Sequence, residues 1–278
     1  MAKGDFWRRL FRQPTALVGG FIVIVVVLVG LSAPFLAPYD PISQDLYSRL
    51  QPPSFSHILG TDDFGRDIFS RIMYGSLISI RIGFVTVLGA ATIGTFLGLW
   101  SGYKGGWSDV VIMRLVDIML AFPSILLAIT VVAITGPGIE NVIFAVSMVL
   151  IPQFARLVRS SVLTVKELSF VEAEEVIGAG KIRILFFSVL PNCVTPIVVQ
   201  STLSMGTAIL DAAGLSFLGL GAQPPMPEWG AMLAGGRSLI FEAPWIMTFP
   251  GLAIFILVLS FNLFGDGLRD ALDPKLDK

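Results

Sequence analysis

The sequence predicts an all-α protein that crosses a membrane six times, and three observations lead there. Of its 278 residues, 54% are hydrophobic and only 14% are charged. An ordinary soluble domain carries about 25% charged residues. This chain has too few charges to cover a water-facing surface, so its apolar excess must face lipid. Residues 15–37 and 246–265 contain no charged side chain, and each run exceeds the roughly 18 residues that mark a membrane-crossing helix. Lysine and arginine are also shared unevenly among the connecting segments, as happens when loops alternate across a bilayer.

The elements follow in order. Phe6, Trp7, Arg8, Arg9 and Leu10 suit a short interfacial helix whose basic side chains meet lipid headgroups. The first span, 15–37, is longer than the apolar region of a cleaved leader and reads as a retained anchor. The loop over 38–78 is proline-rich at its start and acidic, with Asp40, Asp45, Asp62, Asp63 and Asp67. Asp62 and Asp63 precede an amphipathic stretch through Tyr74 and are expected to cap it. A calcium site is the weaker reading, because the spacing is not that of a helix–loop–helix calcium loop. Spans two to four are expected at 79–102, 112–135 and 139–160, with Gly136-Pro137-Gly138 making the tight turn between the last two. Arg114 and Asp117 lie three apart, share a helix face and are expected to pair.

The fifth span, 196–219, carries Asp211, roughly 22 Å from Pro196 at 1.5 Å per residue. An intramembrane carboxylate is a functional candidate. It either contacts the amine of a passing solute or a cation, or bonds to a neighbouring subunit. The last loop, 220–245, holds Glu228 and Trp229, and tryptophan suits a membrane interface. The sixth span is 246–266. With the N-terminus inside, Lys3, Arg12, Lys104, Arg156, Lys181 and Lys275 all fall on cytoplasmic segments, and the outer ones keep little more than Arg49, Arg66, Arg71 and Arg237. Both termini are therefore expected in the cytoplasm.

Residues 169–191 form a polar island on that inner side. Ser169-x-x-Glu172 has the form of a reciprocal N-terminal cap. Phe170, Ala173 and Ile177 then share one helical face, and Gly178 suits the left-handed residue that ends the helix. Ile182, Leu185, Phe186 and Val189 recur with the helical period, and Pro191 is expected to stop this second helix. Gly178 and Gly180 let the joint bend, since both tolerate positive φ. The spacing alone fits either an amphipathic connector on the membrane surface or a plug for a soluble partner. Gly178-Ala179-Gly180-Lys181 resembles the end of a phosphate loop, but Ile182 follows the lysine and Glu175 replaces the first glycine, so nucleotide binding is rejected.

Glu172-Ala173-Glu174, Gly178 and Leu190-Pro191 resemble the EAA loop of importer-type ABC transporter permeases. There are two departures: Glu174 stands where alanine is usual, and Ser188 where isoleucine is common. Three further blocks are similar to the peptide/nickel importer family, and specifically to its second permease subunit. They are Leu59 to Asp67, Leu215 to Gly230, and Phe261 to Asp270 with Asp273-Pro274. The resemblance implies a type I ABC importer permease fold, with residues 1–78 forming the anchor and outer loop and 79–278 the transmembrane domain. It implies a heterodimer with a homologous permease, two cytoplasmic ATPase subunits and an extracytoplasmic solute-binding protein. Glu172, Ala173 and Gly178 match the positions that couple to the ATPase. Asp211 becomes a candidate for the translocation path, and Asp62, Asp63, Glu228 and Trp229 for an outer gate or binding-protein contact. Di- or oligopeptides are the expected cargo in a bacterial or archaeal inner membrane, with chelated nickel the alternative.

Two other classes fit the residues less well. An ion-coupled secondary transporter needs midplane carboxylates, and only Asp211 qualifies. A membrane enzyme lacks material: one histidine, one cysteine, and neither HExxH nor GxSxG. The single Cys193 excludes an intrachain disulfide, His57 alone argues against a histidine metal site, and a net charge of −1 points away from nucleic acid. No cofactor is expected.

Overall fold

The computed structural model describes residues 9–272, and their regular structure is helical apart from one isolated bridge between Thr61 and Asp67. Helix α1 runs Pro14–Leu36 and α2 runs Ile68–Lys104. Helices α3 (Gly106–Ala121) and α4 (Ser124–Thr135) precede α5 (Ile139–Val165) and the short α6 (Ser169–Val176). A turn at Lys181–Arg183 and a π-helical segment at Ile184–Val189 lead into α7 (Leu190–Phe217). Helices α8 (Trp229–Gly236) and α9 (Trp245–Leu272) complete the chain. Five helices are long and apolar enough to cross a membrane: α1, α2, α5, the continuous Lys181–Phe217, and α9.

The expected third span is broken. Helices α3 and α4 meet at 97°. Pro123 supplies the reason, because its ring pushes the preceding residue out of the helical region; Phe122 is extended at φ −87°, ψ 140°. The second span begins at Ile68, not 79, since the helix continues into the polar residues beyond the apolar run. Its 37 residues amount to about 55 Å, well beyond the ~30 Å hydrocarbon core.

Helices α2 and α5 form the centre. Gly94, Gly98 and Gly102 recur every fourth residue and let the two backbones touch. A Cβ at Gly98 would stand 2.5 Å from the Ala155 carbonyl oxygen and 2.8 Å from the Val158 Cβ. The main core joins α2, α4, α5, α7, α8 and α9 through residues such as Ile82, Val132, Val146, Ile209, Trp229 and Leu257. Outward-facing side chains of α1, including Phe21, Ile24 and Leu28, are exposed, as a lipid-facing helix requires.

Polar groups sort to the two ends. At one end the loops 38–67, 136–138 and 218–244 meet: Gly138 N–H donates to the Leu220 carbonyl, and Trp245 Nε1 donates to Thr61 O. At the other, Asp109 accepts both Arg159 Nε and Nη2 at 2.5 Å and also bonds Ser101. The expected Arg114–Asp117 pair does not form. Asp117 instead accepts from Arg156 of α5 at 2.7 Å, so a partner across the bundle displaces the one on its own face. Of the proposed interfacial segment, Phe6, Trp7 and Arg8 lie outside the described residues, as do Asp273 and Pro274; Leu10 packs with Ala16, Leu268 and Ala271.

Candidate functional site

The polar island folds as a helix, a sharp turn and a second helix. Helix α6 ends where expected. Gly178 has φ +82° and donates to Glu175 O at 3.0 Å, and Ala179 N–H reaches back to Glu174 O at 3.0 Å. Two orphan carbonyls are thereby satisfied, which only a left-handed residue allows. Gly180 differs from expectation, with an ordinary φ of −64°. The N-terminal cap differs as well. Leu168 occupies the cap position and Ser169 the first helical turn, so no serine–glutamate exchange forms.

The second helix is not the regular α-turn its spacing suggests. Residues 184–189 are π-helical, and the chain passes through Pro191 into α7 without stopping. The missing N–H of Pro191 falls in the first α-turn after the wider segment, where it is tolerated. The wider turn also moves the buried face. Ile184, Leu185, Val189 and Cys193 are buried, whereas Ile182 and Phe186 are exposed. They pack with Val171, Leu99, Val158 and Val162, which seats the loop on the ends of α2 and α5. Helix α7 then carries Pro196 within its length.

Phe170, Ala173 and Ile177 do share a face, and it is turned away from the protein. Phe170 is 40% and Ile177 80% exposed, Ala173 is exposed, and the neighbouring Val176 is 86% exposed, so the described residues leave this face largely uncovered. Glu172 lines a cavity of about 540 Å³ with Trp100, Tyr103, Lys104, Lys166 and Lys181. The two departures from the EAA pattern meet each other: Ser188 Oγ donates to both carboxylate oxygens of Glu174, at 2.7 and 2.8 Å. A simultaneous departure at two positions was the signal in the sequence; the contact itself was not legible there.

The opposite end is a clasp of loops. Asp62 Oδ1 accepts the Phe64 and Arg66 amides at 2.9 Å, and Oδ2 accepts Arg66 Nε at 2.7 Å. The residue that caps α2 is Asp67, not Asp62 or Asp63. Its carboxylate takes Ser70 N–H at 2.8 Å and Ser70 Oγ at 2.7 Å, and it meets His57 Nδ1 at 2.9 Å. Asp63 is half-buried, and burial followed by the charge of Asp62 pushes its carboxyl above the usual carboxylate range. Arg71, which sequence reasoning passed over as one outer cation among several, is buried. It donates to Pro41 O at 2.7 Å and Pro225 O at 3.2 Å, tying the first loop to the last.

Glu228 and Trp229 are buried inside this clasp. Glu228 caps α8 by accepting the Gly230 and Ala231 amides at 2.9 and 2.8 Å. Burial raises its carboxyl above 4.5, opposed by those two amides. Trp229 Nε1 donates to Ile72 O at 3.1 Å. Asp211 lies in α7, about 9 Å short of its end at Phe217. It is half-buried, and it makes no hydrogen bond or ion pair with the described residues. Among those residues, no group of three or more His, Cys, Asp or Glu is arranged to hold a metal ion.

Residues 94–278 match the family described as the binding-protein-dependent transport system inner membrane component, and residues 4–53 match the N-terminal transmembrane domain of oligopeptide transport permease C. The chain belongs to this permease family. Relatives extend the match along nearly the whole permease. The dipeptide transport system permease protein DppC of Alkalihalophilus pseudofirmus is 52% identical over 274 residues, covering 97% of this chain and 90% of the relative. The glutathione transport system permease protein GsiD of Pectobacterium atrosepticum is 52% identical over 273 residues, covering 98% and 91%. A chain of the MetNI methionine ABC transporter, solved in inward-facing conformations, superposes with a TM-score of 0.59 at 20% identity, over 73% of this permease and 97% of that chain. The last likeness bears on fold alone. The permease therefore has the ABC importer permease fold and is an integral membrane protein.

Proposed function

We propose that this permease forms half of the translocation path of an ATP-driven importer for short peptides. The observation that carries this reading is the uncovered apolar face of α6, Phe170–Ala173–Ile177, beside the left-handed Gly178. A cytoplasmic connector lying against its own bundle would bury that face. Here the opposite face, through Val171, is the buried one. The free face is offered to a separate protein, and the resemblance of residues 172–191 to the EAA loop supports ATPase subunits as that protein, docking at Glu172, Ala173 and Gly178 from the cytoplasm. A homologous permease completes the path, and a solute-binding protein delivers cargo at the clasp end. The excess of lysine and arginine at the α6 end supports a cytoplasmic location for that end and for both termini.

The route through the bundle passes Asp211, whose carboxylate has no partner among the described residues. An amine-bearing cargo supplies a counter-charge there. At the clasp end, Asp63 and the rims of the loops holding Glu228 and Trp229 form the gate or the binding-protein contact. The two buried side chains act by fixing those loops. Peptide cargo is favoured over nickel because the relatives named above carry dipeptide and glutathione, the latter itself a tripeptide. ATP hydrolysis belongs to the partner subunits. The test is uptake by proteoliposomes containing the full assembly, with labelled dipeptide, glutathione and nickel offered in turn. ATP-dependent accumulation of a short peptide is expected; uptake driven by an ion gradient without ATP, or of nickel alone, overturns the reading.

A further inference from the structure

We propose that Glu174 and Ser188 act together as a latch that makes the coupling loop move as one rigid piece. This deepens, and rests on, the reading of residues 169–189 as the ATPase-docking element. The joint is held by the backbone bonds that end α6 and has no close packing around its glycines: a Cβ added at Gly178 or Gly180 would meet nothing within 4 Å beyond the adjoining chain. A loop docked by α6 alone could therefore swing about that joint and leave α7 unmoved. Two features oppose the swing. One is the burial of Val171 against the cluster that holds Ile184 and Val189. The other is the Ser188 hydroxyl, whose Oγ stands within hydrogen-bond distance of both oxygens of Glu174, at 2.7 and 2.8 Å.

The latch has the right placement for this task. Glu174 is in α6, on the docking side of the joint, and Ser188 is in the π segment continuous with α7. The bond thus joins the part that receives displacement to the part that transmits it. The Ser188 carbonyl also accepts Asn192 Nδ2 at 2.7 Å, which extends the tie into the first turn of α7. A hydrogen bond to a carboxylate is stronger than one between neutral groups, and two half-buried partners exchange it less readily with water. Neither residue need touch the ATPase. Both are positioning residues.

The experiment uses the full assembly in proteoliposomes and reads peptide taken up per ATP hydrolysed. Ser188→Ala and Glu174→Ala are each expected to lower that ratio roughly three- to ten-fold, as loss of one hydrogen bond between partly solvated groups allows. ATPase subunits should still co-purify. The double variant should fall no further than either single one, because both remove the same interaction. Ser188→Thr, which keeps the hydroxyl, should retain the ratio. A wild-type ratio in Ser188→Ala, or falls that multiply in the double variant, overturns the latch. Failure of the docking reading shows differently. Ile177→Arg places a charge on the uncovered face and should prevent co-purification of the ATPase. Retained co-purification there refutes docking, whereas a silent Ser188→Ala with a disruptive Ile177→Arg refutes the latch alone.

Discussion

Replacing Gly178 separates backbone strain from crowding, because the two causes are unequal at this residue. Its φ of +82° lies in the left-handed region, and no atom stands within 4 Å of a Cβ placed there. Gly178→Ala therefore costs about 1–2 kcal/mol, the conformational penalty of a left-handed L-residue, without any clash inside the chain. That shifts the bent loop against straighter alternatives by a factor of about 5–30. Gly178→Asn costs less, since asparagine visits this region more readily. Gly178→Pro costs about 3 kcal/mol or more. It forces φ to near −65° and deletes the N–H that donates to Glu175 O. In reconstituted importer, peptide uptake per ATP should fall in the order proline, alanine, asparagine, with proline near zero and ATP hydrolysis persisting. Coupled, substrate-stimulated uptake by the proline variant refutes the reasoning.

Three further outcomes follow from the geometry. Gly98→Leu should lower the thermal midpoint of the purified assembly by an amount matching about 1–3 kcal/mol of overpacking, because its Cβ would stand 2.5 Å from the Ala155 carbonyl oxygen; Gly235→Ala, which meets nothing within 4 Å, is the control. Asp211→Asn should leave assembly intact and slow peptide uptake, and unchanged uptake removes this carboxylate from the path. Because burial raises the Glu228 carboxyl above 4.5, the folded state holds its proton more tightly than the unfolded chain does. Stability should therefore decline as pH rises from 4.5 through the raised value, and level off above it. Glu228→Gln should lose that part of the pH dependence, and an identical profile in the variant counts against the buried carboxyl as its source.

What the sequence disclosed depended on whether a feature was local. The uncharged runs placed both ends of α1 and the start of α9 within a residue, because lipid exposure needs only composition; α9 runs six residues past the expected 266, to Leu272, where charged residues follow the apolar run. Gly178 was legible because few residues but glycine end a helix in this way. The α2 start was not, since Asp67, Ile68 and Arg71 lie outside the apolar stretch and their helix is held by the clasp. The face of residues 182–189 was misjudged because a regular helical period was assumed, and the π segment shifts the phase so that Ile184 and Val189, five apart, point the same way. Asp117 could not reveal Arg156 as its partner, for the two are 39 residues apart and meet only through the packing of α3 on α5. The bend at Pro123 was written in the sequence, but the apolar character runs straight through it and hid the break.

Pro196 brings a mechanical consequence for α7. A proline inside a helix leaves the carbonyl four residues before it, here that of Asn192, without its helical donor, and sharp bends gather at such missing rungs. This weak rung lies just past the segment gripped through Ser188 and well before Asp211. Fifteen residues separate Pro196 from Asp211, a lever of about 22 Å. Tilting that lever by about 10° sweeps the carboxylate sideways by about 4 Å, more than the reach of one hydrogen bond. If α6 docks an ATPase and Asp211 meets cargo as proposed above, a small flexure at Pro196 is enough to make or break that grip far across the bilayer.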